Sequence, residues 1–196
     1  MKRGGLAVVL LLAIGLIAAS SVALDRNAIA DALAVHAPAA GPHQDDSGAT
    51  EGVARPDDAA GPYAVMRVVD GDTVKVDVDG TEQTVRLIGV DTPETVHPDQ
   101  PVECFGPEAS AFTAALVDQQ PVWLESDPTQ GSTDLYGRTL AYIWTGPDTM
   151  LNEQLVAGGY GREYTYDTDY RHADLLRSAQ QSARSAGAGL WGACGA

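Results

Sequence analysis

The chain has 196 residues, 27 acidic and 12 basic, with a formal charge of −15, and 44 % of its residues are hydrophobic. That balance argues against a passive polyanion binder, because Lys and Arg neutralising phosphates supply most nonspecific affinity. It leaves open a metal-dependent enzyme acting on the same polyanion, because a bound cation resets the local field.

Residues 1–24 begin with Lys2 and Arg3, run uncharged from Gly4 to Leu24 and offer small residues at Ser21-Val22-Ala23. That is the layout of a secretory signal peptide. Residues 4–24 are also long enough to span a bilayer, so an uncleaved membrane anchor is the alternative. Either way the rest of the chain is expected to be exported, secreted or held at the outer face of the membrane. Residues 25–61 are rich in Ala, Asp, Pro and Gly and carry no Phe, Tyr or Trp. They are expected to form a disordered linker, since this composition buries too little surface to offset chain entropy. His36 and His43 lie in it as solvated side chains. Residues 62–196 remain as one domain, long enough for a single core.

Within the domain, Val65–Val69 is strand-like, and Asp70-Gly71-Asp72 is turn chemistry. Thr73–Val78 alternates apolar and polar as a half-buried strand does. Asp79-Gly80 is a strong hairpin signal, and Gln83–Val90 reads as a third strand. A polar loop runs from Thr95 to Gly106. Pro107 starts a helix at a position where its missing N–H costs nothing, with Ala109, Phe112, Leu116 and Val117 facing inward. Pro121–Glu125 and Thr139–Trp144 read as strands four and five. Met150–Ala157 is a short helix stopped by Gly158-Gly159. Tyr170–Ser185 is a longer one with Leu175, Leu176, Ala179 and Ala183 inward, and Leu190-Trp191 is expected to pack back on the core. The predicted fold is α+β: a five-stranded OB-fold β-barrel with about three α-helices. Cys104 and Cys194 are the only cysteines. In an exported chain such a pair is expected to form a disulfide, with free or intermolecular thiols as the alternative.

The chemistry lies in charges that break the strand pattern. Asp72 starts a strand, and Asp91 ends one with Thr92 and Glu94 beside it. Carboxylates at strand ends can converge at the mouth of a small barrel, and an all-oxygen set suits Ca²⁺ rather than Zn²⁺. Arg86 sits between Val85 and Leu87, so it points away from their buried face. Arg138 follows Tyr136-Gly137. Two guanidinium forks match phosphate oxygens. Each residue singly is more simply a turn former or a surface charge.

Taken together, Val69-Asp70-Gly71-Asp72-Thr73-Val74-Lys75, Arg86-Leu87 and Val90-Asp91-Thr92-Pro93-Glu94-Thr95 resemble the core of the thermonuclease (micrococcal nuclease-like) family. So do Gly106–Phe112, Asp134-Leu135-Tyr136-Gly137-Arg138 and Asn152-Glu153-Gln154-Leu155-Val156, in order, from about Tyr63 to Trp191. The resemblance implies an endonuclease that hydrolyses DNA and RNA with little sequence preference and leaves 3′-phosphate ends. It implies Ca²⁺ held by the carboxylates of Asp72 and Asp91 and the carbonyl of Thr92. Glu94 would hold or deprotonate the attacking water, Arg86 and Arg138 would bracket the phosphate, and Tyr136, Tyr164 and Tyr166 would contact nucleotide. A monomer is expected.

The chain departs from the family at Leu135, where Lys is usual, at Asp99 and Gln100 in a loop that is elsewhere Lys-rich, and at Asp167-Thr168-Asp169. These changes weaken electrostatic capture of polyanions and predict a tighter dependence on Ca²⁺. His97 and His172 match no essential role and are expected to be structural or solvated. The alternative to an enzyme is a non-catalytic OB-fold nucleic-acid or ligand-binding module, but degenerate domains of that kind lose the carboxylates or arginines that this chain keeps.

Overall fold

The computed structural model describes residues 53–96 and 101–195. The expected leader or anchor at 1–24, most of the expected linker, and His36, His43, His97, Asp99 and Gln100 lie outside the described residues. Among the described residues no helix is long and apolar enough to cross a membrane.

Five strands close into a barrel: β1 (Ala60–Asp70), β2 (Thr73–Val78), β3 (Thr81–Leu87), β5 (Pro121–Glu125) and β6 (Thr139–Trp144), in the spatial order β1-β2-β3-β6-β5. The β1-β2-β3 meander follows its turn residues. Asp79 and Gly80 both take positive φ, 52° and 84°, as a two-residue hairpin turn matched to strand twist requires. The barrel closes where Tyr63 pairs with Val122. Val74 and Val76 of β2 and Val85 and Leu87 of β3 point inward and are buried, while Lys75 and Arg86 between them are only half-buried. Burying one such aliphatic side chain fully contributes roughly 1.5–3 kcal/mol.

Three helices pack outside the barrel, α1 (Gly106–Val117), α2 (Leu151–Ala157) and α3 (Ala173–Ala186), with a single-turn α4 (Leu190–Ala193) after them. Asn152 of α2 is fully buried and its amide is engaged at both ends. Its oxygen accepts the Ile143 N–H of β6 at 3.0 Å, and its nitrogen donates to the Ile88 carbonyl at 2.8 Å. One side chain thus ties α2 to β6 and to the end of β3. Cys104 and Cys194 form a disulfide with Cα atoms 6.0 Å apart, joining the segment before α1 to the end of α4.

Four expectations need correction. The linker predicted for residues 25–61 ends earlier. Ala60 and Gly61 already belong to β1, the Arg55 N–H bonds the Pro147 carbonyl at 2.7 Å, and the Arg55 guanidinium lies 3.9 Å over Trp123. Composition could not reveal this, because backbone pairing and one cation–π contact hold the segment. Second, the strand expected over Gln83–Val90 stops at Leu87 and resumes as a two-residue strand, β4 (Val90–Asp91). Gly89 between them has φ 75°, and a Cβ there would meet the Tyr170 ring at 2.6 Å. Third, the inward face of α1 holds a polar residue that the apolar pattern left out: Phe112 and Leu116 pack against the core as expected, and Thr113 is also fully buried and donates to the Gly71 carbonyl at 2.5 Å. Fourth, an unforeseen strand, β7 (Arg162–Glu163), pairs with β4.

Candidate active site

Two strand pairings assemble the site. β3 and β6 run parallel, with Val85 opposite Thr139 and Arg86 opposite Leu140. Arg138 immediately precedes Thr139, so this register brings Arg138 to the strand next to Arg86, and both line one cleft. The short β4–β7 pair sets Asp91 opposite Arg162 and leads the chain on to Tyr164, whose N–H bonds the Gly89 carbonyl at 3.1 Å.

The Asp70-Gly71-Asp72 turn is buried against Thr92. A Cβ at Gly71 would meet Thr92 atoms at 2.8–2.9 Å, so only glycine allows the approach. Asp72 Oδ2 accepts the Thr92 N–H at 2.8 Å and its hydroxyl at 3.0 Å, and Oδ1 accepts the Thr73 hydroxyl at 3.0 Å. Asp70 accepts from the Gly71 N–H, Thr95 and Ser110. Burial, reinforced by contact with Glu94 and the charge of Asp72, still raises its pKa above the ordinary aspartate value.

Arg86 spans the acidic pair. Its Nη1 lies against Asp72 and its Nη2 donates to Asp91 Oδ1 at 3.0 Å. Nη1 is buried in its ion pair with Asp72. Asp91 is raised chiefly by burial, which with the charge of Asp72 outweighs the opposing pull of Arg86. Arg138 is held by Asp134. Its Nε donates at 2.5 Å to one oxygen, while its own N–H and that of Tyr136 donate at 2.9 Å to the other. Burial pushes Asp134 up, but these donors hold it below the ordinary range.

Arg86, Asp91, Arg138, Tyr136, Tyr164 and Tyr166 line one cleft of about 480 Å³. Tyr136 is 85 % exposed, Tyr166 72 % and Tyr164 45 %, so the rings are available to a ligand rather than committed to packing. Asp72, Thr92 and Glu94 do not line the cleft. Asp72 and Thr92 are buried, with Asp72 against Arg86. Glu94 Oε1 accepts the N–H groups of Thr95 and Val96 at 2.9 and 2.7 Å, and its backbone is fixed by Glu103 on both sides.

The described residues contain no group of three or more His, Cys, Asp or Glu arranged to hold a metal. Asp72 and Asp91 nevertheless converge on one guanidinium, and with neighbouring backbone oxygens they form a hard donor set whose chemistry fits Ca²⁺. Sequence reasoning gave no role to Asp134, although its i, i+4 spacing to Arg138 across a Tyr-Gly turn was a readable signal.

The profile of the staphylococcal nuclease homologue family matches residues 84–193. The chain is 46 % identical to a thermonuclease of Staphylococcus hyicus over 129 residues, 66 % of this chain and 75 % of the relative. It is 45 % identical to a thermonuclease of Staphylococcus intermedius over the same shares. It is 36 % identical to the endonuclease YncB of Bacillus subtilis over 130 residues, 66 % of this chain and 61 % of the relative.

Proposed function

The chain belongs to the family of staphylococcal nuclease homologues, and from that membership we propose a Ca²⁺-dependent endonuclease that cleaves DNA and RNA with little sequence preference and leaves 3′-phosphate ends. That it is a nuclease, a hydrolase of nucleic acid, follows from the family. The observation that carries the finer reading is the single Arg86 guanidinium, which touches two carboxylates at a cleft that Arg138 also lines.

A phosphodiester is anionic and repels a nucleophile. Fixed cations aimed at the phosphate oxygens lower the barrier most where charge builds up, in the pentacoordinate state. Arg86 and Arg138, which both line the cleft, supply those donors. Asp72, Asp91 and the Thr92 carbonyl would hold Ca²⁺, which when bound supplies further positive charge to the phosphate. Glu94 follows Asp91 by three residues and is the carboxylate assigned to hold or deprotonate the attacking water. The water oxygen bonds to phosphorus, the P–O5′ bond breaks and the 5′ oxygen leaves with a proton. Tyr136, Tyr164 and Tyr166 take the sugar and base. Contacts of this kind carry little sequence information.

The disulfide supports maturation in an oxidising compartment. We read residues 1–24 as the signal or anchor that takes the chain there, residues 25–52 as spacer, and the folded unit as a monomer.

The test is digestion of single-stranded DNA and of RNA with Ca²⁺ or with a calcium chelator, followed by analysis of the new ends. Chelation should reduce the rate by at least about 100-fold, the scale of losing a main source of transition-state charge stabilisation. The products should prime a polymerase only after phosphatase treatment. Undiminished cleavage in chelator would remove calcium from the account, and products that prime directly would reverse the bond assigned.

A further inference from the structure

Most basic side chains of this acidic domain are committed to carboxylates. Lys75 pairs with Glu82, Arg171 with Glu125, and Arg177 with Glu163 and Asp169. Arg162 and Arg184 differ. Both are exposed, and among the described residues neither has a carboxylate within ion-pair distance. Instead both guanidiniums lie over the ring of Trp191, at 5.4 Å and 4.8 Å from its centroid. The indole N–H is buried without a hydrogen-bond partner, so packing and the two cations hold the ring. Stacking on an aromatic face fixes a guanidinium's position while leaving its N–H edge free to bind an anion.

The position of this cluster follows from strand register. Arg162 is the cross-strand partner of Asp91. Directly opposed residues of an antiparallel pair project from the same face, so Arg162 emerges on the face from which Asp91 meets Arg86. Exposure then alternates along the chain: Arg162, Tyr164 and Tyr166 are exposed, and Glu163 and Thr165 are half-buried. The Tyr164 and Tyr166 rings lie 6.4 Å apart and both line the cleft, and Arg162 precedes them in the same alternation of exposure. The exposed edge therefore runs from the cleft tyrosines to Arg162 and on through Trp191 to Arg184.

We propose that Arg162 and Arg184, positioned by Trp191, form a phosphate-binding extension of the cleft that holds the nucleic-acid strand beyond the scissile nucleotides. This rests on the nuclease reading and adds to it the length of substrate recognised. Cleft contacts alone suffice for a dinucleotide, whereas a longer strand also engages the extension. The cluster lies outside the chemistry, so it acts on affinity and not on turnover.

The experiment compares the full chain with the Arg162→Ala/Arg184→Ala double variant on a long single-stranded DNA and on a dinucleotide. Fluorescence anisotropy with the labelled long strand runs alongside. On the long strand KM should rise about three- to tenfold at low salt with kcat unchanged. The slope of log(kcat/KM) against log salt should become shallower by about 1.4, near 0.7 for each single-strand phosphate no longer neutralised. Dinucleotide kinetics should not change, and Arg162→Lys/Arg184→Lys should recover most of the affinity. A double variant with the parent's KM and salt slope on the long strand overturns the extension, as does an equal loss on the dinucleotide. A parent that cleaves neither substrate yet loses anisotropy-measured affinity on double substitution keeps the extension and removes the nuclease reading instead.

Discussion

Two regions of this molecule are built from the same parts, carboxylates facing arginines and aromatic rings, and they differ in how completely those parts are satisfied. Between β5, β6 and the start of α3, Glu125 is buried and accepts Trp144 Nε1 at 2.8 Å, an Arg171 Nη1 proton at 2.6 Å and a contact from His172 Nε2 at 3.1 Å. Asp127 beside it accepts the Tyr142 hydroxyl at 2.8 Å, the Arg171 N–H at 2.7 Å and both donors of Thr129. Burial pushes both carboxyls up, but the donors prevail and both pKa values fall below the ordinary range. At the cleft the pairing is uneven. Against the push of burial, Asp134 is lowered by the donors of Arg138 and Tyr136, while Asp91 is raised and the tyrosines are exposed. A fully paired polar network fixes a fold. At the cleft the exposed rings of Tyr136, Tyr164 and Tyr166 remain available to a ligand.

The largest expected contrast is mutational. Arg86→Ala should lower kcat/KM by at least about 100-fold, the scale of removing one transition-state donor, with native circular dichroism retained. Glu125→Ala should instead cost about 3 kcal/mol of stability, because it strands buried donors and a charge, while the molecules that stay folded keep their activity. Urea unfolding beside active-site-normalised rates checks both. A folded but inactive Glu125→Ala protein would erase the distinction between the regions.

A second contrast concerns acid. Glu125 and Asp127 have ordinary values of 4.5 and 3.8, and folding lowers both. The folded state therefore binds their protons more weakly than the unfolded chain does. Their contribution is complete above those values and is lost as pH falls through the lower folded-state values. Thermal unfolding across acidic pH should show stability declining below about pH 4.5, and the decline should flatten in Glu125→Gln/Asp127→Asn.

The smallest effect tests the electrostatics of the cleft rim. Leu135 is 88 % exposed and lines the cleft. Leu135→Lys should leave stability unchanged, lower KM on single-stranded DNA two- to threefold at low salt and steepen the salt slope by about 0.7, the value for one more neutralised phosphate. An unchanged salt slope would mean that phosphates do not pass this rim.

Much of this arrangement was legible in the sequence. Period-two alternation located β2, the apolar runs at Pro121–Glu125 and Thr139–Trp144 were read as the strands that β5 and β6 are, and the Cys pair is bridged. The carboxylates and arginines stood out because charge interrupts apolar strands. What local pattern could not show was pairing between distant segments. The parallel β3–β6 register that brings Arg138 to the strand next to Arg86 depends on residues more than fifty apart. The β4 and β7 strands are two residues each, too short for any periodicity, yet they set Asp91 opposite Arg162. Side-chain direction was equally hidden. Glu94 accepts N–H groups of its own loop, a local hydrogen bond that residue type alone does not announce.

The bond between Cys104 and Cys194 makes the polypeptide between them a covalent ring. A protease that nicks the ring once cannot release a piece of it. Arg138, Tyr164 and Tyr166 stay tethered to the rest, and the cut ends find each other again at a rate independent of dilution. A single scission within the ring therefore leaves one covalently connected molecule, and loss by fragmentation takes two.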